Sequence, residues 1–437
     1  MTLLIISPDY ASHLLPLATI GTAWRDAGER VVVATGPATA SIVEAFGFER
    51  VNLQLGRGSN PGVIRAEDQP KGEDDALRGF FDASRVGAVE TLTFQATARL
   101  NDLMWEPVAT ARAVQRVVDE VGADRVIVDH LAFSARLALI ASGTPHADVV
   151  LGHPSALPVG DEVYGYPPEW PIAFTPDGSS LADLLALCER VSNTFTADWN
   201  AALAELNPEA APSDNAFAEH GTLLLLNYPG ELHDPQRTAL LPTHEFLGGS
   251  VRDEPAEPDV DEWLASSDAP FVYVSFGSFL SVRGDVLGRV IEALKSLGVR
   301  AAIATGSAAR SDLGDIPASW LVREFLPQVS LLKSAAAAVT HGGNNSVTES
   351  MTYGVPLLVL PFSTDQFAGA AALERLGFGV VLDPNAATAE QLRDGLQQVL
   401  SLPRAVRAEL TELSASLRGT PGRDRAHAAL ERITAIL

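Results

Sequence analysis

The chain reads as an α/β protein made of two Rossmann-like domains that face each other across a cleft. Three observations carry this. Apolar, β-branched runs alternate with helical stretches from the first residue, a Gly/Pro/acid-rich break interrupts them, and the alternation then restarts at similar size. In the first half, strands are expected at Leu3–Ile6, Val31–Ala34, Arg125–Val128 and Ala147–Leu151, with Leu223–Leu226 the last. These runs are short and mostly apolar, as parallel strands covered on both faces should be. Helices are expected between them, for example over Leu14–Ala27 and Leu131–Ala141. Phe246 to Pro258 contains Gly248, Gly249, Pro255 and Pro258 among acidic residues and reads as a linker. Strands then resume at Phe271–Ser275, Val299–Ala304, Ala336–Thr340 and Pro356–Leu360. The expected division is a first domain over 1–245, a linker over 246–258, a second domain over 259–422, and a final helix over 423–437 packing back on the first domain.

Composition narrows the function. The 437 residues suit two or three domains, and 46% hydrophobic content is ample for a core. No run approaches the ~20 apolar residues of a membrane span. Met1 to Ile6 enters directly into a strand-like run without the basic start of a signal peptide, so a cytoplasmic location is expected. Lys plus Arg number 31 against 55 Asp plus Glu, a net charge of −24, which argues against nucleic acid and anionic membranes as partners. The single cysteine, Cys188, excludes an internal disulfide and a cysteine-based zinc site.

Two segments break the βα rhythm. Gly56 to Asp75 is polar and Gly-rich, and Gly152 to Ser180 is Pro-rich with Tyr164, Tyr166, Trp170 and Phe174. Long irregular loops often form binding walls, and the aromatic content of the second favours an apolar ligand.

The chemistry concentrates between residues 323 and 366. Arg323-Glu-Phe-Leu-Pro-Gln-Val329 is followed by Val339-Thr-His341-Gly-Gly-Asn-Asn-Ser346-Val-Thr-Glu349, then Tyr353-Gly-Val-Pro356 and Pro361-Phe-Ser-Thr-Asp365-Gln366. A buried strand is expected to end at Thr340, His341 to Gly343 to make a turn, and Asn344 to open a helix through Thr352. The free amides and dipole at such a helix start favour an anion.

This pattern, with Val272-Tyr-Val-Ser-Phe-Gly-Ser278, closely resembles the donor-site signature of the UDP-glycosyltransferase superfamily of GT-B fold, bacterial natural-product type. The resemblance implies transfer of a sugar from a nucleoside diphosphate donor, with UDP-glucose first, to a small, largely apolar acceptor. It assigns Phe325 to stacking on the base, Gln328 beside it, and Glu349 to the ribose hydroxyls. His341, Gly343, Asn345, Ser346 and Ser278 fall to the diphosphate, and Asp365 and Gln366 to the transferred sugar. Glu349 and the Asp365-Gln366 pair together favour a UDP-hexose. No metal and no cofactor beyond the donor are implied, since a helix N-terminus takes the leaving diphosphate.

An attacking hydroxyl must lose its proton, which suits a histidine. The first strand ends at Ser7-Pro8 and leads to His13, with Pro16 following; inverting members of the superfamily carry a base in Gly-His-x-x-Pro here, and Ser12 replaces the Gly. Asp129, ending another strand, matches the family's partner carboxylate, with Asp9 a nearer alternative and His130 a weaker base. His153, Tyr164 and Trp170 are candidates for the acceptor pocket. Other readings are a dTDP-deoxysugar transferase, a GT-B-like nucleotide-sugar epimerase, and a non-catalytic binding protein. A Rossmann oxidoreductase comes last, because the first turn reads Ser-Pro-Asp-Tyr-Ala-Ser without Gly-x-Gly-x-x-Gly.

Overall fold

The computed structural model describes residues 1–62, 73–100, 103–277, 282–308 and 310–434. The first half forms a seven-stranded sheet from β1 (Thr2–Ile6), β2 (Arg30–Thr35), β3 (Glu49–Asn52), β4 (Arg125–Asp129), β5 (Ala147–Val150), β6 (Leu223–Leu226) and β7 (His244–Phe246). Its order is β3-β2-β1-β4-β5-β6-β7, and every pairing is parallel. The second half forms a six-stranded sheet from β8 (Phe271–Ser275), β9 (Arg300–Ala304), β10 (Leu321–Arg323), β11 (Ala337–Thr340), β12 (Leu357–Val359) and β13 (Gly379–Val381). Its order, β10-β9-β8-β11-β12-β13, repeats the first topology, again all parallel.

The central strands are apolar on both faces because helices cover both. Leu3, Leu4, Ile5 and Ile6 of β1 are wholly buried, alternating between two separate cores. Leu223–Leu226 is not the last strand of its half: β7 follows it, three half-buried residues at the sheet edge with two polar side chains among them. The first helix, Ala11–Asp26, begins three residues before the expected Leu14, so His13 lies in its opening turn.

In each sheet the chain reverses direction between two central strands, β1 and β4 in the first, β8 and β11 in the second. Ligands of open parallel sheets bind where the carboxyl ends of such strands diverge. Here both reversal points open on one cleft of about 580 Å³. Aromatic packing ties the halves together beside it: Trp170 and Phe174 of the first half lie 4.7 and 5.2 Å from the Phe367 ring of the second.

The linker after Phe246 needs its glycines. Gly248 and Gly249 have φ of +79° and +156°, and a Cβ on them would meet Leu417 at 2.5 Å and Thr348 at 2.9 Å. The final helix, Gly422–Thr434, lies on Ala11–Asp26 of the first domain. Ala426, Ala429 and Leu430 join the core around Trp24, whose ring is 4.7 Å from His427. Arg423 bonds Thr22 at 3.0 Å, and Arg432 pairs with Glu245 at 2.6 Å.

Leu430→Ala is therefore expected to cost about 2–5 kcal/mol in denaturant unfolding, the range for emptying a buried leucine site. Truncation before Gly422 should lower the melting temperature further and reduce activity. Unchanged melting and turnover in the truncated chain would show that the helix is not part of the scaffold.

Candidate active site

His13 and Asp129 come together although 116 residues separate them. The cause is the adjacency of β1 and β4, whose registered pairs end at Ile6 and Val128. Asp129 is wholly buried; its Oδ2 accepts from His13 Nδ1 at 2.6 Å and its Oδ1 from the Leu131 amide at 2.8 Å. With Nδ1–H committed, the other ring nitrogen of His13 is the basic one, and the ring lines the cleft with 23% of its side chain exposed. Burial works to lower the His13 pKa, but the Asp129 charge and hydrogen bond, aided by Asp365, raise it above 6.5.

The other candidates near this pair are spoken for. Asp9 accepts from the amides of Ala38 and Thr39 and from the Thr39 hydroxyl, all within 3.0 Å, so it holds a loop. His130 is buried beside Asp129 with neither ring nitrogen hydrogen-bonded, and burial drops its pKa to about 4.

Pro16 explains part of the motif physically. It lies inside the first helix and has no N–H, so the carbonyl four residues earlier loses its helical donor. That carbonyl belongs to Ser12, and it accepts instead from Asn345 Nδ2 of the second domain at 3.0 Å. Asn344 makes a second crossing, its Nδ2 donating to the Asn227 carbonyl at 2.9 Å.

Opposite His13 stands the start of the helix Asn344–Thr352. Its N-cap is Gly343, with no side chain capping the first turn. The His341 ring lies beside two glycines: a Cβ on Gly277 would come within 2.8 Å of it and one on Gly343 within 2.3 Å. His341 Nδ1 is buried without a partner, and burial pulls the ring's pKa to about 4, so it is neutral at pH 7. Gly343, Asn345 and Ser346 line the cleft beside it. Ser278 lies outside the described residues.

Deeper, a polar network forms around Glu349. Its Oε1 accepts from Arg252 at 2.6 Å and its Oε2 from Gln328 Nε2 at 2.5 Å. Arg252 also pairs with Glu254 at 2.7 Å, and Gln328 Oε1 accepts from the Tyr273 hydroxyl at 3.3 Å and the Ser346 hydroxyl at 3.4 Å. Burial raises the Glu349 pKa, with Arg252 and Gln328 opposing it. Arg252 is a site residue that the motif did not signal. The available hint was that it is the sole basic residue between Phe246 and Pro258.

Phe325 stands at the cleft with 57% of its surface exposed, an open apolar face for a planar ligand. Asp365 occupies the N-cap position of Gln366–Arg375 but does not cap it. Its Oδ2 instead accepts from the His153 amide across the cleft at 2.5 Å, and its Oδ1 from the Thr364 hydroxyl at 2.9 Å. Burial raises its pKa. Gln366 Oε1 accepts from the Phe362 and Ser363 amides at 2.9 and 3.2 Å, bracing the turn before it.

The acceptor-pocket candidates separate. Tyr164 lines the cleft, stacked 3.8 Å from Phe217. His153 reaches the cleft through its backbone, while its ring bonds Ser155 and abuts Tyr228. Trp170 packs on Phe367 away from the cleft lining. Among the described residues no three His, Cys, Asp or Glu side chains gather into a metal-sized cluster, and no helix is long and apolar enough to cross a membrane.

With this geometry in hand, residues 182–416 match the family model described as UDP-glucoronosyl and UDP-glucosyl transferase. The chain belongs to that family. An uncharacterized UDP-glucosyltransferase YojK of Bacillus subtilis is 29% identical over 178 residues, 39% of this chain and 44% of that one. A PGL/p-HBAD biosynthesis rhamnosyltransferase of Mycobacterium tuberculosis is 32% identical over 184 residues, 42% of this chain and 38% of the relative. These matches thus span under half the length of the curated relatives. Among solved structures, the glycotransferase of kitacinnamycin superposes with TM-score 0.69 at 20% identity, covering 99% of this chain and 98% of the other. Glycosyltransferase VinC in complex with dTDP superposes at 0.65 with 19% identity and full coverage of both chains. The shared architecture is the GT-B fold, two facing Rossmann-like domains.

The Arg252–Glu349 pair gives a direct test of the network. Removing one partner of a buried ion pair strands the other charge and costs roughly 3–5 kcal/mol, whereas removing both costs much less than the sum. Arg252→Met and Glu349→Gln should each destabilise strongly, and the double variant should recover part of the loss in a denaturant cycle. Strict additivity would mean that the two side chains do not act as a pair.

Proposed function

We propose that the protein is an inverting glycosyltransferase that moves a sugar from a nucleoside diphosphate donor to a hydroxyl of a small, largely apolar acceptor. One observation carries this reading: the His13–Asp129 pair at the reversal point of one sheet faces an uncapped helix start, Gly343 to Ser346, at the reversal point of the other. One side offers a base, the other a seat for an anion.

In the proposed reaction the acceptor oxygen attacks the anomeric carbon as the bond from that carbon to the diphosphate oxygen breaks. The proton of the acceptor goes to His13, and the leaving electron pair stays on the diphosphate. Asp129 holds the imidazole in one tautomer and stabilises the imidazolium as it forms. The amides of the Asn344–Thr352 helix start, with Asn345, Ser346 and His341, receive the diphosphate without supplying a full positive charge. Phe325 takes the base, Gln328 and Glu349 lie toward the ribose, and Asp365 with Gln366 toward the sugar. A single in-line displacement, the acceptor oxygen entering on the face opposite the departing diphosphate with no carboxylate nucleophile in between, gives inversion.

A second reading concerns the donor. The case for UDP rests on Glu349 accepting from a ribose diol, yet both of its oxygens already accept from Arg252 and Gln328. Relatives include a rhamnosyltransferase, and solved neighbours are complexed with dTDP or thymidine diphosphate. These support a dTDP-deoxysugar as the alternative to a UDP-hexose.

His13→Ala is expected to lose about 10²–10⁴-fold in transfer to an ordinary alcohol while keeping nucleotide binding. The active base is neutral, so kcat/KM should rise with pH through a midpoint above 6.5, the direction in which Asp129 shifts His13. Asp129→Asn removes that push and leaves burial, so the midpoint should fall below 6.5 along with the rate. The same shift makes the pair stabilise the fold below pH 6.5, a contribution lost as pH rises through the raised value. A pH profile unchanged in Asp129→Asn would remove the dyad from the mechanism.

Competition between UDP-glucose and dTDP-glucose decides the donor. A UDP preference that shrinks in Glu349→Ala supports the ribose role of Glu349. Wild-type preference for a dTDP-deoxysugar by a wide margin assigns the second donor class.

A further inference from the structure

The acceptor side of the cleft holds a cation that nothing in the proposed mechanism uses. Arg99 ends the helix Ala88–Arg99 and lines the cleft, half-buried. Among the described residues no hydrogen bond or ion pair holds it; its guanidinium carbon lies 5.0 Å from the centre of the Tyr164 ring, and its charge favours the ionised form of the buried Asp365 carboxylate in the same cleft. In a chain with 55 acids against 31 bases, a cleft arginine with no carboxylate at ion-pair distance among the described residues is conspicuous. The fold nonetheless makes room for it. Gly165 has φ +87°, and a Cβ there would lie 2.8 Å from Arg99 Nη1, so the turn after Tyr164 is shaped around the guanidinium. One helical turn earlier, Gln95 also lines the cleft, and its Oε1 is buried without a hydrogen-bond partner. The surrounding wall is Tyr164, Tyr166 and Pro167.

Half-buried at the cleft wall, the guanidinium is open to an anion that enters the cleft, and its planar fork matches a carboxylate. We propose that the acceptor carries a carboxylate on an aromatic or otherwise apolar frame, bound by Arg99, while its hydroxyl is presented to His13. This rests on the glycosyl-transfer reading and names the acceptor class for that site. The anion also fixes orientation. With the carboxylate held on the Ala88–Arg99 helix and the frame against Tyr164, one end of the acceptor points away from the helix toward His13, so that a single hydroxyl is presented for transfer.

The test uses the full chain and a matched pair of probes, 3-(4-hydroxyphenyl)propanoate and its methyl ester. Binding is read by titration calorimetry with UDP and with dTDP present, and transfer is read separately by mass spectrometry. A charge-assisted hydrogen bond in a cleft corresponds to roughly tenfold or more in affinity. The wild type should bind the acid at least that much tighter than the ester. Arg99→Met should bring the ratio to about one, and Arg99→Lys should keep part of it. Acid bound no tighter than ester by the wild type, or no binding of the acid, overturns the proposal without recourse to any variant. An Arg99→Met variant that weakens nucleotide binding yet keeps the acid preference also overturns it, placing Arg99 at the donor phosphates. Loss of the glycosyl-transfer reading looks different: selective acid binding would persist while no sugar donor yields product.

Discussion

A carboxylate sealed from solvent organises the half of this molecule that carries the proposed base. Asp129 terminates a central strand, has no exposed surface, and is nevertheless held below its ordinary pKa, because burial is outweighed by His13, His130 and the Leu131 amide. A buried anion of this kind is tolerable only if its partners are fixed. The fold fixes them: β1 must lie beside β4 for the first turn of Ala11–Asp26 to reach it. The same first turn presents the Ser12 carbonyl that Pro16 releases, and that carbonyl docks Asn345. The placement of His13, the proposed base, and the placement of the second domain therefore share one short segment.

The proposed diphosphate seat is made almost without cations. Arg252, which bonds Glu349 of the Asn344–Thr352 helix, is neutralised by Glu254 and Glu349, and His341 is uncharged. What remains is backbone amides, the helix dipole, and neutral side chains. In a protein of net charge −24 this has a clear advantage. Bulk negative charge acts at long range and is screened by salt beyond about 8–10 Å, whereas amides at a helix start act at contact. Such a site would bind a diphosphate by geometry and tolerate an acidic exterior.

Much of this was legible in the sequence, for identifiable reasons. Central strands such as Leu3–Ile6 and Leu223–Leu226 carry an unbroken apolar run because both faces are covered. Edge strands do not: β3 reads Glu-Arg-Val-Asn, and β7, β10 and β13 have three residues each, too few for a period to emerge. His13, Asp129 and the His341–Glu349 stretch could be placed at one cleft from the sequence because each lies at or beyond the carboxyl end of a strand. Arg252 and Arg99 could not, since each acts through a partner far away in sequence. Arg252 meets Glu349 97 residues on, and Arg99 meets the Tyr164–Gly165 turn in a loop whose aromatics alone suggested a wall. Trp170, legible only as an aromatic in that loop, packs at the domain junction.

Several groups assigned to the donor also bond from one domain to the other. Asn345 reaches Ser12, and Asp365 receives the His153 amide. Neighbouring Asn344 reaches Asn227. A donor that claims Asn345 and Asp365 must exchange these interdomain bonds for bonds to itself. Since a hydrogen bond contributes only about 0.5–1.5 kcal/mol net, the exchange is close to neutral, and neither arrangement is locked. The apolar contacts of Trp170 and Phe174 with Phe367, and the final helix on the first domain, do not pass through the cleft and need not break. Domain registration and ligand binding are thereby carried by different interactions, so the polar groups of the cleft are free to change partners while the two sheets keep their facing ends aligned.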